Sequence, residues 1–420
     1  MRKQKRKQKT FTSSRDSRLP LDRAFTQQRG LELDGSPLDA VRLKSATRSS
    51  TIFRKRIAQS PSRAQHGDLV RVLSDDGALL GTGLWNPRAE ATIRMLTRGE
   101  QLPDVPWWQE RLRGALALRR EILKIDEATT AYRLLNADGD GVPGLVADRY
   151  GDIISLETFS LGMYQRAEAI SRLIASLLHV PNWIVRPGPQ TEDQEGFIAS
   201  GFQSGQAPGK ILITEHGLRY EVLPFEGHKT GFFCDQRDNR LRLRQFCEGA
   251  SVLDLCCYSG GFSVNASHAG AQDVTGVDLD ETAIDAAQRN ANLNQCRIRF
   301  VHADAFAYMR DMQRNGRQYR VVILDPPKLI RGRKEYDEGL KKYLDLNRLA
   351  VSLVEPGGIL LTCSCSGLLN ADEFTKTVRA ATGDRPARLL FRTGASPDHP
   401  VAMSALEGEY LKCLWLQVDR

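Results

Sequence analysis

The C-terminal part of the sequence, from Ser251 onward, repeats one unit that restricts the fold strongly. Short apolar segments (SVLDL, DVTGVDL, RIRFVHAD, YRVVILD and GGILLTCS) alternate with segments of helical periodicity such as ETAIDAAQRNANLN and GLKKYLDLNRLAVSLVE. This alternation predicts an α/β fold with a doubly wound parallel sheet. Ligands bind such sheets at the carboxyl ends of the strands, so residues that follow a strand are the first candidates for a functional site.

Three aspartates end three successive predicted strands: Asp254, Asp278 and Asp304. Asp278 follows Asp254 by 24 residues (278 − 254), close to the offset of roughly 20 at which an acidic group meets a ribose hydroxyl pair. Gly260 and Gly261 then allow the backbone to approach a ligand closely. Because an acidic pocket repels pyrophosphate and neither GxGxxG nor a P-loop is present, we predict S-adenosylmethionine as the ligand. Alternatively, each aspartate only caps a helix.

The fourth strand ends in LDPPK, which puts Asp325 and a two-proline turn at the same edge of the sheet. Proline fixes φ and removes a donor, so this stiff loop suits holding a planar base against a methyl donor. We therefore predict that Asp325, Pro326 and Lys328 belong to the catalytic site. In methyltransferases that act on exocyclic amines an aromatic residue commonly follows the prolines, and here Lys328 and Leu329 follow, which disfavours that target.

The next strand ends in TCSCSG and offers two thiols, Cys363 and Cys365. Carbon 5 of a pyrimidine is a poor nucleophile, but a thiolate that adds to carbon 6 makes carbon 5 able to attack a sulfonium methyl group. Along an extended strand both side chains point the same way, so either cysteine fits this role. Cys365 is favoured because it lies further along the strand. The alternative is that both are small buried apolar residues.

The rest of the chain predicts two further units and a tail. Residues 1–37 form a basic extension expected to be disordered, residues 38–105 are β-rich with a hairpin at Asp75-Asp76-Gly77, and residues 106–213 mix strands and helices. No apolar run reaches the roughly 18 residues of a membrane span. The eight cysteines lack zinc spacing, so no metal is expected, and they suit reduced thiols in the cytoplasm. The net charge of +8 favours nucleic acid as a partner.

Several motifs together resemble the ribosomal large-subunit RNA methyltransferase I family of bacterial 5-methylcytosine enzymes. They are FEGHKTGFFCDQRDNR (225–240), DLCCYSGGFS (254–263), LDPPKL (324–329) and SCSG (364–367), with NADGDGVPGLVADRYGD (136–152) and DHP (398–400) in support. The resemblance implies a PUA-like RNA-binding domain at 38–105, a connecting α/β domain at 106–213 and a Rossmann-like class I methyltransferase domain at 214–420.

The resemblance also implies roles for single residues. Cys365 would be the nucleophile, and Asp325 would orient the cytosine. The resemblance further implies that one segment surrounds the cofactor, with the residues Lys229, Thr230, Gly231, Phe232, Asp235, Gln236 and Arg237. The strand-end loops add the predicted cofactor residues Asp254, Tyr258, Ser259, Gly260, Gly261, Phe262, Ser263, Asp278, Leu279, Asp304, Ala305 and Asp325.

Basic side chains mark two candidate RNA contacts. They are Arg42, Lys44, Arg54 and Arg56 in the β-rich unit, and Arg331 and Lys334 after the reactive loop. A base in folded RNA must flip out to reach such a pocket. We therefore expect an enzyme that forms 5-methylcytosine in large-subunit (23S) ribosomal RNA, with a homodimer as a further expectation. Two alternatives stay open: methylation of another target such as a purine nitrogen, and an RNA-binding protein that keeps the cofactor fold without catalysis.

Overall fold

The structure is a computed structural model that describes residues 23–205, 208–223 and 232–419. Residues 1–22 of the predicted basic extension lie outside the described residues. For residues 23–37 the prediction of disorder is wrong, because Leu31 is buried in the core and Arg29 pairs with Asp68 at 2.6 Å. Within these ranges the strands form four sheets, which follow one another along the chain. None of the helices in the same ranges is long and apolar enough to cross a membrane.

The N-terminal part is a six-stranded sheet. Its strands are β1 (Ala40–Leu43), β2 (Thr51–Ile52), β3 (Ile57–Gln59), β4 (Leu69–Leu73), β5 (Leu79–Trp85) and β6 (Ile93–Met95), in the order β2-β6-β5-β4-β1-β3. The predicted hairpin is confirmed, because β4 and β5 pair antiparallel. Its turn contains Gly77 with a φ of 88°, a conformation that glycine adopts without steric cost. Val70 and Val72 alternate along β4 and point into the core, as the period of two requires.

The central part is a five-stranded sheet with helices. Its elements are α1 (Val105–Ala117), β7 (Ala131–Asn136), β8 (Leu145–Tyr150), β9 (Ile153–Thr158), α2 (Leu161–Tyr164), α3 (Ala167–Leu178), β10 (Asn182–Pro187), α4 (Thr191–Glu195) and β11 (Phe202–Gln203). The hairpin of β12 (Ile211–Glu215) and β13 (Leu218–Val222) follows. The core of the central sheet includes Leu84 and Leu96 from the N-terminal part, so these two parts share one core. The boundary at 105–106 therefore stays a proposal.

The C-terminal part is a seven-stranded sheet flanked by helices. Its strands are β14 (Ser251–Leu255), β15 (Asp273–Asp278), β16 (Arg299–His302), β17 (Tyr319–Leu324), β18 (Val354–Ser364), β19 (Ala387–Thr393) and β20 (Lys412–Val418). Its helices are α5 (Arg237–Leu243), α6 (Gly261–His268), α7 (Glu281–Leu293), α8 (Ala305–Arg314), α9 (Tyr336–Ser352) and α10 (Ala371–Thr382). The strand order β16-β15-β14-β17-β18-β20-β19 confirms the doubly wound α/β prediction.

One feature of this sheet differs from the prediction, because it is not wholly parallel. β20 runs antiparallel between β18 and β19. Its sequence, KCLWLQV, has the apolar content of a buried strand, but its partner β18 lies some 50 residues earlier in the chain. Local periodicity therefore gives no information on the direction of this pairing.

The strand order reverses between β14 and β17, and this reversal places the candidate site. These two strands are parallel neighbours, and the backbone N–H of Asp325 donates to the carbonyl of Leu255 at 3.3 Å just beyond them. The chain leaves β14 towards β15 and leaves β17 towards β18, so the loops after them diverge and open a crevice.

Two motifs that lie far apart in the sequence, at 136–152 and 398–400, meet in the structure. The buried side chain of Arg119 forms a bidentate ion pair with Asp140, at 2.6 and 2.8 Å, and also donates to the carbonyl of Asp398 at 2.6 Å. The amide of Asn136 donates to the carbonyl of Pro400 at 2.9 Å. The central and C-terminal parts are thus joined by buried polar contacts.

We predict that Asp140→Asn destabilises the protein by about 3 kcal/mol or more, because it leaves the buried Arg119 without its charge partner. The matched control is Asp126→Asn, which weakens the solvent-accessible pairs of Asp126 with Arg120 and Arg149 and should cost about 1 kcal/mol or less. Urea unfolding of both variants measures the difference. Equal shifts of the two midpoints would contradict the importance of the buried pair.

Candidate active site

The Asp254 carboxylate lies at the base of the crevice and is fully buried. Its Oδ2 accepts from the backbone N–H of Ser263 at 3.0 Å and from the Ser263 hydroxyl at 2.6 Å, which fixes the first turn of α6. Among the described residues its Oδ1 has no hydrogen-bond partner. Burial, with smaller contributions from Asp325 and Asp278, raises the pKa of Asp254 to about 7. A buried acceptor without a partner is what a bound polar ligand would satisfy.

The loop between β14 and α6 has an unusual backbone. Cys256, Tyr258 and Gly260 have φ values of 60°, 47° and 77°, so two non-glycine residues adopt the left-handed conformation. Asp278 holds this loop in place, since its Oδ2 accepts from the backbone N–H of Tyr258 at 2.8 Å and its Oδ1 from that of Asp280 at 3.0 Å. Backbone strain of this kind clusters at functional sites.

The two glycines of the loop have a packing role that the sequence did not reveal. A Cβ at Gly260 would lie 3.0 Å from the Ala287 side chain on α7, and one at Gly261 would lie 3.0 Å from Cδ of Arg240. Glycine is therefore needed here for close contact within the protein. Their predicted role in approaching the cofactor stays a prediction.

The third predicted acid, Asp304, differs from the other two. It is exposed at the end of β16 and is the N-cap of α8, where its Oδ1 accepts from the backbone N–H of Ala307 at 2.9 Å. The helix-capping alternative thus describes one contact of Asp304, and Asp254 likewise accepts from Ser263 in the first turn of α6. Asp278 holds the loop between β14 and α6. Around them, Phe262 and Ser259 are buried, and Leu279 and Ala305 keep exposed surface at the same edge.

The segment before α5 forms a wall of the crevice. Arg237 is buried and its Nη1 and Nη2 pair with Asp398 at 3.1 and 3.0 Å, while Asp235 accepts from the Tyr410 hydroxyl at 2.7 Å. The ring of Phe232 packs in the core under the Arg240 guanidinium, which lies 4.7 Å from the ring centroid. These contacts are within the protein. Lys229, Thr230 and Gly231 of the same motif lie outside the described residues.

Gln236 connects this wall to the reactive loop. Its Nε2 donates to Asp325 Oδ2 at 2.9 Å, and its Oε1 accepts from Asn239 Nδ2 at 2.6 Å. Asn239 in turn accepts at Oδ1 from the Thr393 hydroxyl at 2.7 Å. Because Asn239 fixes which end of the Gln236 amide faces Asp325, this buried chain of hydrogen bonds sets the orientation of the Asp325 carboxylate.

The structure separates the two candidate thiols. Cys363 is fully buried within β18, opposite Cys413 of β20, and burial raises its pKa well above that of a free cysteine. β18 ends at Ser364, so Cys365 lies just beyond the strand, and it is half-buried. Its Sγ lies 4.0 Å from the carbonyl oxygen of Pro326. Only Cys365 therefore combines proximity to the Asp325 loop with access to solvent.

Ser366 links the loop after β17, which begins with Asp325, to the turn after β18, which contains Cys365. The buried Ser366 hydroxyl accepts from the backbone N–H of Ile330 at 3.1 Å and hydrogen-bonds the Tyr343 hydroxyl at 3.0 Å. Pro326 is buried between the loops, and Lys328 is exposed at their rim. The arrangement can hold a flat ligand between a carboxylate and a thiol.

Basic side chains flank the rim. Arg331 and Lys334 are exposed directly after the reactive loop. In the N-terminal sheet Lys44 is exposed, whereas three other predicted RNA contacts brace loops of their own sheet. Those side-chain contacts are Arg42 to the carbonyl of Asp75, Arg54 to that of Arg88, and Arg56 to the hydroxyl of Ser45, at 3.2, 2.7 and 3.0 Å.

Comparison with known proteins agrees with this geometry. A family model of S-adenosylmethionine-dependent methyltransferases matches residues 134–404, and a model of PUA-like domains matches residues 44–98. The chain is therefore an S-adenosylmethionine-dependent methyltransferase with a PUA-like domain, and S-adenosylmethionine is its cofactor.

Similar proteins of known name identify the family within this class of methyltransferases. The chain is 35% identical over 366 residues to the ribosomal RNA large subunit methyltransferase I of Shewanella frigidimarina, a match that covers 85% of this chain and 91% of the relative. It is also 35% identical over 372 residues to the protein of the same name from Salmonella arizonae, covering 86% and 91%. The chain belongs to the ribosomal RNA large subunit methyltransferase I family.

Solved structures confirm the fold. A Streptococcus mutans protein described as a SAM-dependent methyltransferase aligns with a TM-score of 0.77 and 22% identity, over 90% of this chain and 100% of that chain. A methyltransferase solved in complex with SAH aligns with a TM-score of 0.76 and 22% identity, over 91% and 100%.

Sequence reasoning missed three features of the site: the Asn239 link to Gln236, the Asp398 partner of Arg237, and Lys412 near Cys365. The bond between Gln236 and Asn239 is local, but Asn239 is itself held by Thr393, and Arg237 pairs with Asp398; both of these contacts join segments more than 150 residues apart. Lys412 did carry a signal, because it is a charged residue in an otherwise apolar strand.

We predict that Gln236→Glu lowers the methyl-transfer rate at neutral pH by roughly 10- to 100-fold, the loss expected for a hydrogen bond to a charged group. The new carboxylate would face Asp325, and two adjacent carboxylates share a proton. The deficit relative to wild type should therefore shrink as the pH falls. The control is Gln245→Glu, an exposed position in the turn after α5. A wild-type rate and pH profile in Gln236→Glu would show that Gln236 does not position Asp325.

Proposed function

We propose that this protein forms 5-methylcytosine in large-subunit ribosomal RNA, with Cys365 as the covalent nucleophile and Asp325 as the residue that orients the cytosine. The names of its relatives support ribosomal RNA as the substrate. The resemblance of its motifs to 5-methylcytosine enzymes supports cytosine carbon 5 as the acceptor and 23S RNA as the molecule.

The observation that carries this proposal is the position of the Cys365 thiol. It is half-buried, and its sulfur lies 4.0 Å from the carbonyl oxygen of Pro326, in the loop that begins with Asp325. The next residue, Ser366, accepts a hydrogen bond from Ile330 of that loop. Methylation of a purine nitrogen needs no thiol, because that nitrogen already carries a lone pair. A nucleophilic cysteine beside the base-binding loop therefore favours a pyrimidine carbon.

The residues around β14 and β15 suit S-adenosylmethionine. The Asp278 carboxylate gives the crevice negative charge that suits a sulfonium ligand, and Asp254 Oδ1, which has no partner among the described residues, offers it a buried acceptor. When bound, the cofactor supplies an electrophilic methyl group. The left-handed loop at 256–260 presents its backbone to the same crevice.

The chain's own residues act on the base. Cys365, as thiolate, forms a bond to carbon 6 of the cytosine, and the electron pair of the 5,6 double bond becomes available at carbon 5 for the new carbon–methyl bond. Asp325, oriented by Gln236, accepts a hydrogen bond from the exocyclic amino group of the base and so holds carbon 6 towards the thiol. Loss of the carbon 5 proton to water then restores the double bond and expels the thiolate.

The RNA would cross the rim of the crevice. Arg331 and Lys334 are exposed there and can neutralise phosphates next to the flipped base. The PUA-like domain, with the exposed Lys44, would hold a more distant part of the RNA. Since the ribosomal RNA of bacteria is cytoplasmic, the enzyme would work in the cytoplasm.

The expected homodimer stays a prediction. In the N-terminal sheet the edge strands are β2 and β3, with two and three residues. Edges this short offer few backbone groups for pairing with a second copy. A dimer, if formed, would need another surface.

We predict that Cys365→Ala lowers formation of 5-methylcytosine by on the order of 1000-fold or more, because the covalent route is lost. Binding of S-adenosylmethionine should be kept, since the cofactor loop is unchanged. The matched variant Cys363→Ala removes a buried sulfur two residues away and should stay within about tenfold of wild type. Mass spectrometry of RNA from a strain that lacks the enzyme, after incubation with each variant, maps the product.

Two results would contradict the proposal. One is a methylated purine in place of 5-methylcytosine. The other is loss of activity in Cys363→Ala with activity retained in Cys365→Ala. Cofactor binding without transfer to any RNA would instead favour a protein that keeps the fold without catalysis.

A further inference from the structure

Lys412 is a lysine in the interior of the protein. It is the first residue of β20, its side chain is 4% exposed, and its partner in the strand register is Ser364 of β18. Lysine is rarely buried so completely unless a carboxylate accompanies it, because an ammonium group loses much hydration free energy on burial. Its position at the end of the sheet, next to the reactive thiol, calls for a physical reason.

The partners of the Lys412 ammonium are backbone carbonyls. Nζ donates to the carbonyl oxygens of Ser366 and Tyr410, each at 2.7 Å. Within the described ranges it forms no ion pair with an Asp or Glu side chain. Carbonyl dipoles solvate the ammonium group but do not neutralise it, so a net positive charge is left beside the turn that contains Cys365.

The Cys365 thiol is the group that this charge can act upon. Ser366, whose carbonyl accepts from Lys412, directly follows Cys365 and is itself held by Ile330 and Tyr343. These bonds therefore fix the position of the Cys365 sulfur relative to the Lys412 ammonium group.

The charged and titratable groups around Lys412 come from several elements. Cys365 and Glu409 favour its protonated form, as does Cys413, and Lys328 opposes it. The Tyr343 hydroxyl, which hydrogen-bonds Ser364 and Ser366 on either side of Cys365 in the sequence, also interacts with this thiol. Burial lowers the pKa of Lys412 to about 8, so most of its charge is present at neutral pH and is lost as the pH rises above that value.

We propose that Lys412 is a positioning residue that stabilises the thiolate form of Cys365 and so prepares the nucleophile. This inference rests on the proposed function for the identity of the nucleophile. A buried positive charge that is hydrogen-bonded to neutral carbonyls favours a transient anion next to it, and the thiolate is the anion that the reaction forms there.

The test is the pH dependence of Cys365 alkylation by iodoacetamide, with the modified sulfur located by peptide fragmentation. The alkylation rate follows the fraction of thiolate. In the wild type we expect the midpoint of this curve to lie below about 8.5, the value of a free cysteine. Lys412→Gln keeps donors for the two carbonyls and removes the charge. It should move the midpoint up by about one unit and slow alkylation at neutral pH about tenfold.

Three further measurements complete the test. Lys412→Met removes both charge and donors and should shift the midpoint at least as far. Lys376→Gln, an exposed lysine on α10, should leave it unchanged. The methyl-transfer deficit of Lys412→Gln should shrink as the pH rises, since higher pH restores the thiolate, whereas a purely structural defect would not recover.

An unchanged midpoint in a folded Lys412→Gln variant would overturn the proposal, as would a wild-type midpoint at or above that of a free cysteine. The second criterion needs no variant and holds even if both substitutions prevent folding. Because alkylation does not require RNA or methyl transfer, the result is separate from the test of the proposed function. Full activity of Cys365→Ala would refute the nucleophile while leaving the electrostatic effect of Lys412 measurable.

Discussion

The reversal of strand order between β14 and β17 is the constraint on which the site depends. Parallel strands bring their carboxyl ends to one edge, and the divergence of the chain at this point leaves a crevice between the loops that follow. Asp254 lies near the carboxyl end of β14, and the loop after β17 begins with Asp325. Cys365 enters from β18, the next strand along. Three segments that are distant in sequence thus face one small volume.

Around this crevice the protein is held by buried polar contacts, not only by apolar packing. The chain of hydrogen bonds from Thr393 through Asn239 and Gln236 ends on Asp325, and the pair between Arg237 and Asp398 fixes the wall beside it. Arg119 extends these contacts into the central part of the chain. Burial raises the pKa of Asp398 on its own, but His399 and Arg237 outweigh burial and lower it, so Asp398 stays anionic. Buried networks of this kind restrict a site to one geometry when each member is satisfied.

The sequence predicted the features that follow from local pattern. The α/β rhythm, the hairpin at Gly77 and the placement of Asp254, Asp278 and Asp325 at strand ends all follow from periodicities of two and 3.6 residues and from turn residues. The choice between Cys363 and Cys365 could not be made from alternation, because it depends on where β18 ends and which strand covers it. β20 covers Cys363, and its pairing with β18 joins segments about 50 residues apart. The role of Gln236 towards Asp325 depends in the same way on a contact across 89 residues.

The central claim is that Cys365 forms a covalent bond with a cytosine in RNA. Its most direct test uses a ribosomal RNA transcript that contains 5-fluorocytidine, in the presence of S-adenosylmethionine. Fluorine at carbon 5 cannot leave as a proton does, so the thiol adduct should persist under denaturing conditions. We predict a stable protein–RNA complex whose cross-linked peptide carries the nucleotide on Cys365. Absence of a stable complex with an enzyme that methylates unmodified RNA, or attachment at another residue, would contradict the account.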